Sequence, residues 1–115
     1  MKRDKINPLK ALGDINRVRI LKMLEEREMC VCEVREILDL SSSTVSQHLA
    51  ILRSADLIED WKDGKWVNYR LNKTSENPLV SSALALMKDS FEDDETVRED
   101  RKKARKVDRN KICGI

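Results

Sequence analysis

Cys30 and Cys32 stand one residue apart, and Cys113 is the only other thiol in the chain. A thiolate pair selects soft, thiophilic ions over magnesium or calcium, so this box is the first candidate ligand site. Its spacing sets a condition. On a regular helix two residues at i and i+2 point about 200° apart, so both can hold one ion only where the chain is extended or unwound. Two cysteines at the head of a helix can equally serve as compact apolar residues. The tail from residue 92 to residue 113 spans roughly 70 Å if extended, which puts Cys113 within reach of the box in its own subunit or in a partner's. His48 is the single histidine; between Gln47 and Leu49 it reads as a packing or phosphate-facing group rather than a ligand. There are no Cys-x-x-Cys pairs or spaced histidines of the zinc-finger kind.

The segment immediately after the thiols is the one that must position them. Residues 33 to 54 read as a short helix, a turn at Leu40-Ser41 and a second helix from about Ser42 to Ser54. Ser41 is its expected N-cap, and Val45, Leu49 and Leu52 form its inward stripe. Ser43, Ser46, Gln47, Ala50 and Arg53 form an open polar face with no bulky apolar side chain to block close approach. Such side chains reach base edges or phosphates, and two helices so arranged match a helix-turn-helix that enters a major groove. A solvated helical hairpin is the plainer alternative.

Upstream, Pro8 to Leu12 is expected to be a short helix, ended by Gly13. Between Asp14 and Arg27, residues Ile15, Val18, Leu21 and Leu24 recur at helical spacing, with Ile20 and Met23 widening the stripe. Downstream, Leu57 to Trp61 and Lys65 to Leu71 read as strands around Lys62-Asp63-Gly64. That hairpin makes a wing, with Lys62 and Lys65 at its tip suited to phosphates. Asn77-Pro78 opens a last helix whose apolar stripe, Val80, Ala83, Leu84, Met87 and Phe91, ends near Phe91.

The chain has 115 residues and a formal net charge of +2, enough for one domain with a modest core. No apolar run approaches a membrane span and no signal-type stretch comes after the start, so the protein is read as cytoplasmic. An odd number of cysteines, two of them poorly spaced to bond each other, favours a reducing compartment. Residues 92 to 100 carry six acids and one arginine, and residues 101 to 111 carry seven bases and one acid. That charged tail has little apolar surface with which to offset its ordering entropy. The expected organisation is therefore a folded unit over residues 1–91 and a flexible tail over 92–115. A thiol enzyme would need an activated cysteine beside an anion-binding loop, and glycine occurs only at Gly13, Gly64 and Gly114; no enzyme is expected.

Three segments together resemble the ArsR/SmtB repressors, in particular their arsenic-sensing branch. They are Met29-Cys30-Val31-Cys32-Glu33-Val34, the run from Leu40-Ser41-Ser42-Ser43 to Leu52-Arg53, and Gly64-Lys65-Trp66-Val67-Asn68-Tyr69-Arg70-Leu71. The similarity covers roughly residues 6 to 90. It implies a mainly α fold with a small β-hairpin, a winged helix-turn-helix dimerised through its first and last helices. It also implies binding to a double-stranded operator that is released when As(III) or Sb(III) meets cysteine thiolates, with no cofactor required. By that resemblance Ser42, Ser43, Ser46 and Gln47 face the major groove. In the family's best-known pattern a further cysteine stands three residues after the second, and here Arg35 occupies that place. Either the pair suffices with a solvent or buffer ligand, or Cys113 substitutes. Oxidation of Cys30, Cys32 or Cys113 as the signal is the alternative regulatory reading.

Overall fold

Three helices of the N-terminal half begin where a short polar side chain can take up a free backbone N–H. In the computed structural model, which describes residues 7–112, Asn7 caps α1 (Pro8–Ala11) by accepting from Leu9 N at 2.8 Å. Asp14 caps α2 (Ile15–Leu24) by accepting from Asn16 N at 2.7 Å. After α2, β1 (Met29–Cys30) runs directly into α3 (Val31–Leu38), which ends on Asp39 in the left-handed region at φ 56°. Ser41 then caps α4 (Ser42–Ser54) through Thr44 N at 3.2 Å, with the helix limits and cap expected from the sequence.

The wing is β2 (Ile58–Asp63) and β3 (Trp66–Leu71). Their register, Ile58 opposite Leu71 through Asp63 opposite Trp66, makes Gly64-Lys65 the two-residue turn, one position later than the Asp-Gly signal suggests. Gly64 sits at φ 63°, the geometry that a type II′ hairpin demands of its first central residue. An element with no counterpart among the expected ones is β1 itself. It pairs antiparallel with β3, Met29 opposite Tyr69 and Cys30 opposite Asn68, giving a sheet of order β1-β3-β2.

The core is one cluster in which Val18, Ile20, Leu21 and Met23 of α2 meet Val34, Ile37 and Leu38 of α3 and Val45, Leu49 and Leu52 of α4. One residue of the expected α2 stripe faces outward, and a lysine of the same helix faces inward. Ile15 is 58% exposed, while Lys22 is fully buried, its ammonium donating to Met87 O at 2.6 Å and pairing with Glu25 at 2.9 Å and Glu92 at 3.3 Å. Those three oxygens offset the cost of removing a charge from water. α5 (Pro78–Lys88) buries Val80, Ala83 and Met87 but stops short of Phe91, which turns left-handed at φ 63° and is exposed.

The largest departure lies in the charged tail, which forms α6 (Glu95–Lys106) and α7 (Arg109–Ile112). Its acids and bases are segregated along the helix rather than merely abundant. Asp94 caps α6, Glu95 lies in the first turn, and Lys103, Arg105 and Lys106 lie in the last, so charge complements the helix dipole at both ends. Val97 and Ala104 provide buried anchors, and Asp100, 2% exposed, receives Arg19 in a two-pronged contact at 2.8 and 3.0 Å. Arg101 reaches Glu25 and Glu92, and Arg105 reaches Glu26. Thus α6 packs on α2 and α3, and α7 packs on α3. Among the described residues no helix is long and apolar enough to cross a membrane.

Candidate nucleic-acid interface and thiol site

On α4 the hydroxyls and amide singled out from sequence share an exposed polar face. Ser42, Ser43, Ser46 and Gln47 are all exposed, with Val45, Leu49 and Leu52 turned into the core behind them. The small residues leave the helix backbone close to whatever it meets. Ser42 Oγ accepts from Arg35 of α3 at 2.7 Å, and Ser43 Oγ lies 3.3 Å from Ser41 Oγ. Arg35, standing where the family's pattern has a further thiol, thus fastens the start of α4 to the helix before it. Arg53 is 63% exposed but held by Asp60 of β2 at 2.8 Å. Lys62 and Lys65 are exposed at the wing tip, Lys65 lying 5.2 Å from the centre of the Trp66 ring. His48 is half-buried, its Nδ1 3.4 Å from Arg17.

The thiols lie where the wing sheet meets the helix-turn-helix. Cys30 is extended at φ −87° and ψ 167° as N-cap of α3, and it also closes β1 against Asn68 of β3. Cys32 is the second residue of α3. The chain is therefore already non-helical at the first thiol, so the opposed geometry of two thiols on a regular helix does not apply here. Cys30 is a free, fully buried thiol, whereas Cys32 is half-buried and disulfide-bonded. Burial pushes the Cys30 thiol above its ordinary pKa, and the Glu33 carboxylate adds to that although backbone hydrogen bonds pull the other way. Among the described residues no group of three or more His, Cys, Asp or Glu is arranged to hold a metal ion. Cys113 lies outside the described residues.

Around the thiols is a polar frame that residue spacing does not disclose. Glu33, 4% exposed, accepts from Cys30 N at 3.0 Å and receives Arg27 at 2.9 Å. Arg27 also donates to Ala104 O and Val107 O, each at 2.8 Å, at the end of α6. Beyond Val107, Arg109 donates to Asn68 Oδ1 and Asp63 Oδ2, each at 2.9 Å, with its guanidinium 4.0 Å from the Trp66 ring centre. Arg109 holds the Asp63 carboxyl below its ordinary pKa. Only the Glu33 part has a sequence signal, an acid three residues after a helix cap.

The family described as bacterial regulatory protein, arsR family, matches residues 14–60. An arsenical resistance operon repressor of Escherichia coli (strain K12) is 46% identical over 68 residues, which are 58% of this chain and 58% of that one. A cadmium resistance transcriptional regulatory protein CadC homolog of Staphylococcus aureus is 40% identical over 76 residues, 65% of this chain and 63% of that one. This chain thus spans about three fifths of the length of these two curated relatives. Among solved structures, reduced HlyU from Vibrio cholerae N16961 superposes with a TM-score of 0.60 at 36% identity, over 70% of this chain and 77% of that one.

Proposed function

Because this chain belongs to the ArsR family of bacterial regulatory proteins, we propose that it is a homodimeric transcriptional repressor whose operator is released when As(III) or Sb(III) binds its thiols. The observation that carries the reading is the place of Cys30. It is at once the cap of the first helix of the helix-turn-helix and the residue paired with the wing strand. A soft centre drawing Cys30 and Cys32 together acts on both DNA-contacting elements at one joint. Ser42, Ser43, Ser46 and Gln47 read the major groove, while Arg53, Lys62 and Lys65 meet phosphates.

In the reduced protein, arsenous acid condenses with two thiols, As(OH)3 + 2 RSH → (RS)2AsOH + 2 H2O, so two As–S bonds replace two As–O bonds without a change of oxidation state. A third thiol displaces the last hydroxide in the same way, and Cys113 is the candidate. A divalent cation such as cadmium instead requires both thiols to lose protons.

The test is operator binding by fluorescence anisotropy, on a duplex selected from the neighbourhood of the gene, in reduced protein with and without arsenite, antimonite or cadmium. Couplings of about 1 to 3 kcal/mol are usual for such linked sites, so release is read as a loss of affinity of roughly 5- to 150-fold. Undiminished binding at saturating arsenite, with the thiols verified as reduced, overturns the effector assignment. Replacing Cys113 by serine separates a three-thiol site, in which release is lost, from a sufficient pair, in which it persists.

A second reading rests on the disulfide at Cys32: oxidation of that thiol is the signal. Under it, peroxide lowers operator affinity, dithiothreitol restores it, and arsenite has no effect on the reduced form.

A further inference from the structure

The wing and the thiol joint are connected twice, once directly and once through the C-terminal helices. The direct connection is the strand pairing of Cys30 with Asn68. The second runs from Cys30 N to Glu33, from Glu33 to Arg27, from Arg27 to the carbonyls of Ala104 and Val107, and from Arg109 to Asn68 and Asp63. Together they close a ring of contacts with Asn68 in both arms. We propose that the segment from Ala104 to Arg109 is a strap that fixes the attitude of the wing relative to the thiol joint, and that Arg109 is its positioning residue.

Three features favour Arg109 for this role. Its fork engages an amide oxygen and a carboxylate on neighbouring positions of the paired strands, and its plane covers Trp66. A planar fork with a stacked face defines orientation in a way that a lysine does not. Its remaining exposure is 25% of the side chain, so it is spent on the wing rather than projecting from it. At the other end Arg27 takes two carbonyls from the close of α6, satisfying acceptors that the helix itself leaves open. Those contacts fix where the strap leaves α6 and hence where Arg109 arrives. As a regulatory device the strap rests on the reading of Cys30 and Cys32 as the effector site; as a wing support it does not.

The experiment compares the unaltered protein with Arg109→Met, Arg109→Lys and a control, Lys102→Met, an exposed lysine of α6 that lies before the strap. Without effector, amide exchange of Val67 to Tyr69 and of Met29 and Cys30 is expected to rise at least fivefold in both Arg109 variants and to stay unchanged in the control. Operator affinity is expected to fall 3- to 10-fold in both. Its salt slope is expected to be unaltered, because a lost phosphate contact reduces that slope by about 0.9 and a lost support does not. Unchanged exchange at β1 and β3, or a slope smaller by about one in Arg109→Met, overturns the strap. With arsenite, the release factor in Arg109→Met is expected to shrink at least threefold while arsenite stoichiometry is preserved; an unchanged factor removes the regulatory role. If the unaltered protein does not respond to arsenite at all, the effector assignment fails, and the exchange and slope measurements still decide whether the strap exists.

Discussion

Gln47 and Ser46 differ from Arg53 in what already holds them. All three are exposed on α4, but Arg53 is engaged with Asp60 at 2.8 Å and has to leave that carboxylate to meet a phosphate. Replacing Gln47 by alanine is therefore expected to cost about 1–3 kcal/mol at a single base pair and to relax preference there. Competition between operator duplexes that differ at one position measures it; an equal loss for every sequence contradicts base reading by Gln47. Lys62→Ala is expected to act differently, weakening all duplexes alike and lowering the salt slope by about 0.9. A titration at several salt concentrations reads this directly. Arg35 belongs to neither class, since its hydrogen bond to Ser42 positions the start of α4.

At the scale of elements, the two least legible parts of the chain are β1 and α6. The recognition helix is readable because a cap, an apolar stripe and a polar face coincide within Ser41 to Ser54. A two-residue strand has no period to detect, and β1 exists because β3 offers it an edge. α6 escapes a reading by total polarity, because the order of its charges along the helix and the small buried contacts of Val97, Asp100 and Ala104 decide the outcome. The thiols are visible as residue types, but their frame joins Arg27 to Val107 and Arg109 to Asp63, pairs far apart in sequence that only the packed tail brings together. If α6 belongs to the folded unit, Val97→Ala should destabilise the protein by about 2 kcal/mol, the transfer value of the lost methyl groups with part of a cavity cost. Urea denaturation checks this, with a single transition and a lowered midpoint expected. An unchanged midpoint would mean that α6 is detached from the cooperative core.

At the scale of the whole molecule, several large apolar side chains among the described residues are left uncovered by the fold. Leu9 on α1, Ile15 at the start of α2, and Leu79 and Leu86 on α5 are 57, 58, 41 and 56% exposed, and α1 packs beside α5. Meanwhile α5 already buries Val80, Ala83 and Met87 in its own core. A helix apolar on two faces is suited to covering the second with another subunit, and a second copy of this chain fits the proposed repressor because paired reading heads engage two half-sites. Leu86→Glu places a charge on the outer face of α5 without touching its buried stripe. It is expected to shift the protein from a dimer to a 13.3 kDa monomer in sedimentation at micromolar concentration. Since a monomer reads one half-site, its operator affinity is expected to fall at least tenfold while thermal unfolding of the isolated subunit remains cooperative. A monomeric unaltered protein that still binds the full operator tightly would separate DNA reading from dimerisation and leave this apolar surface for a different partner.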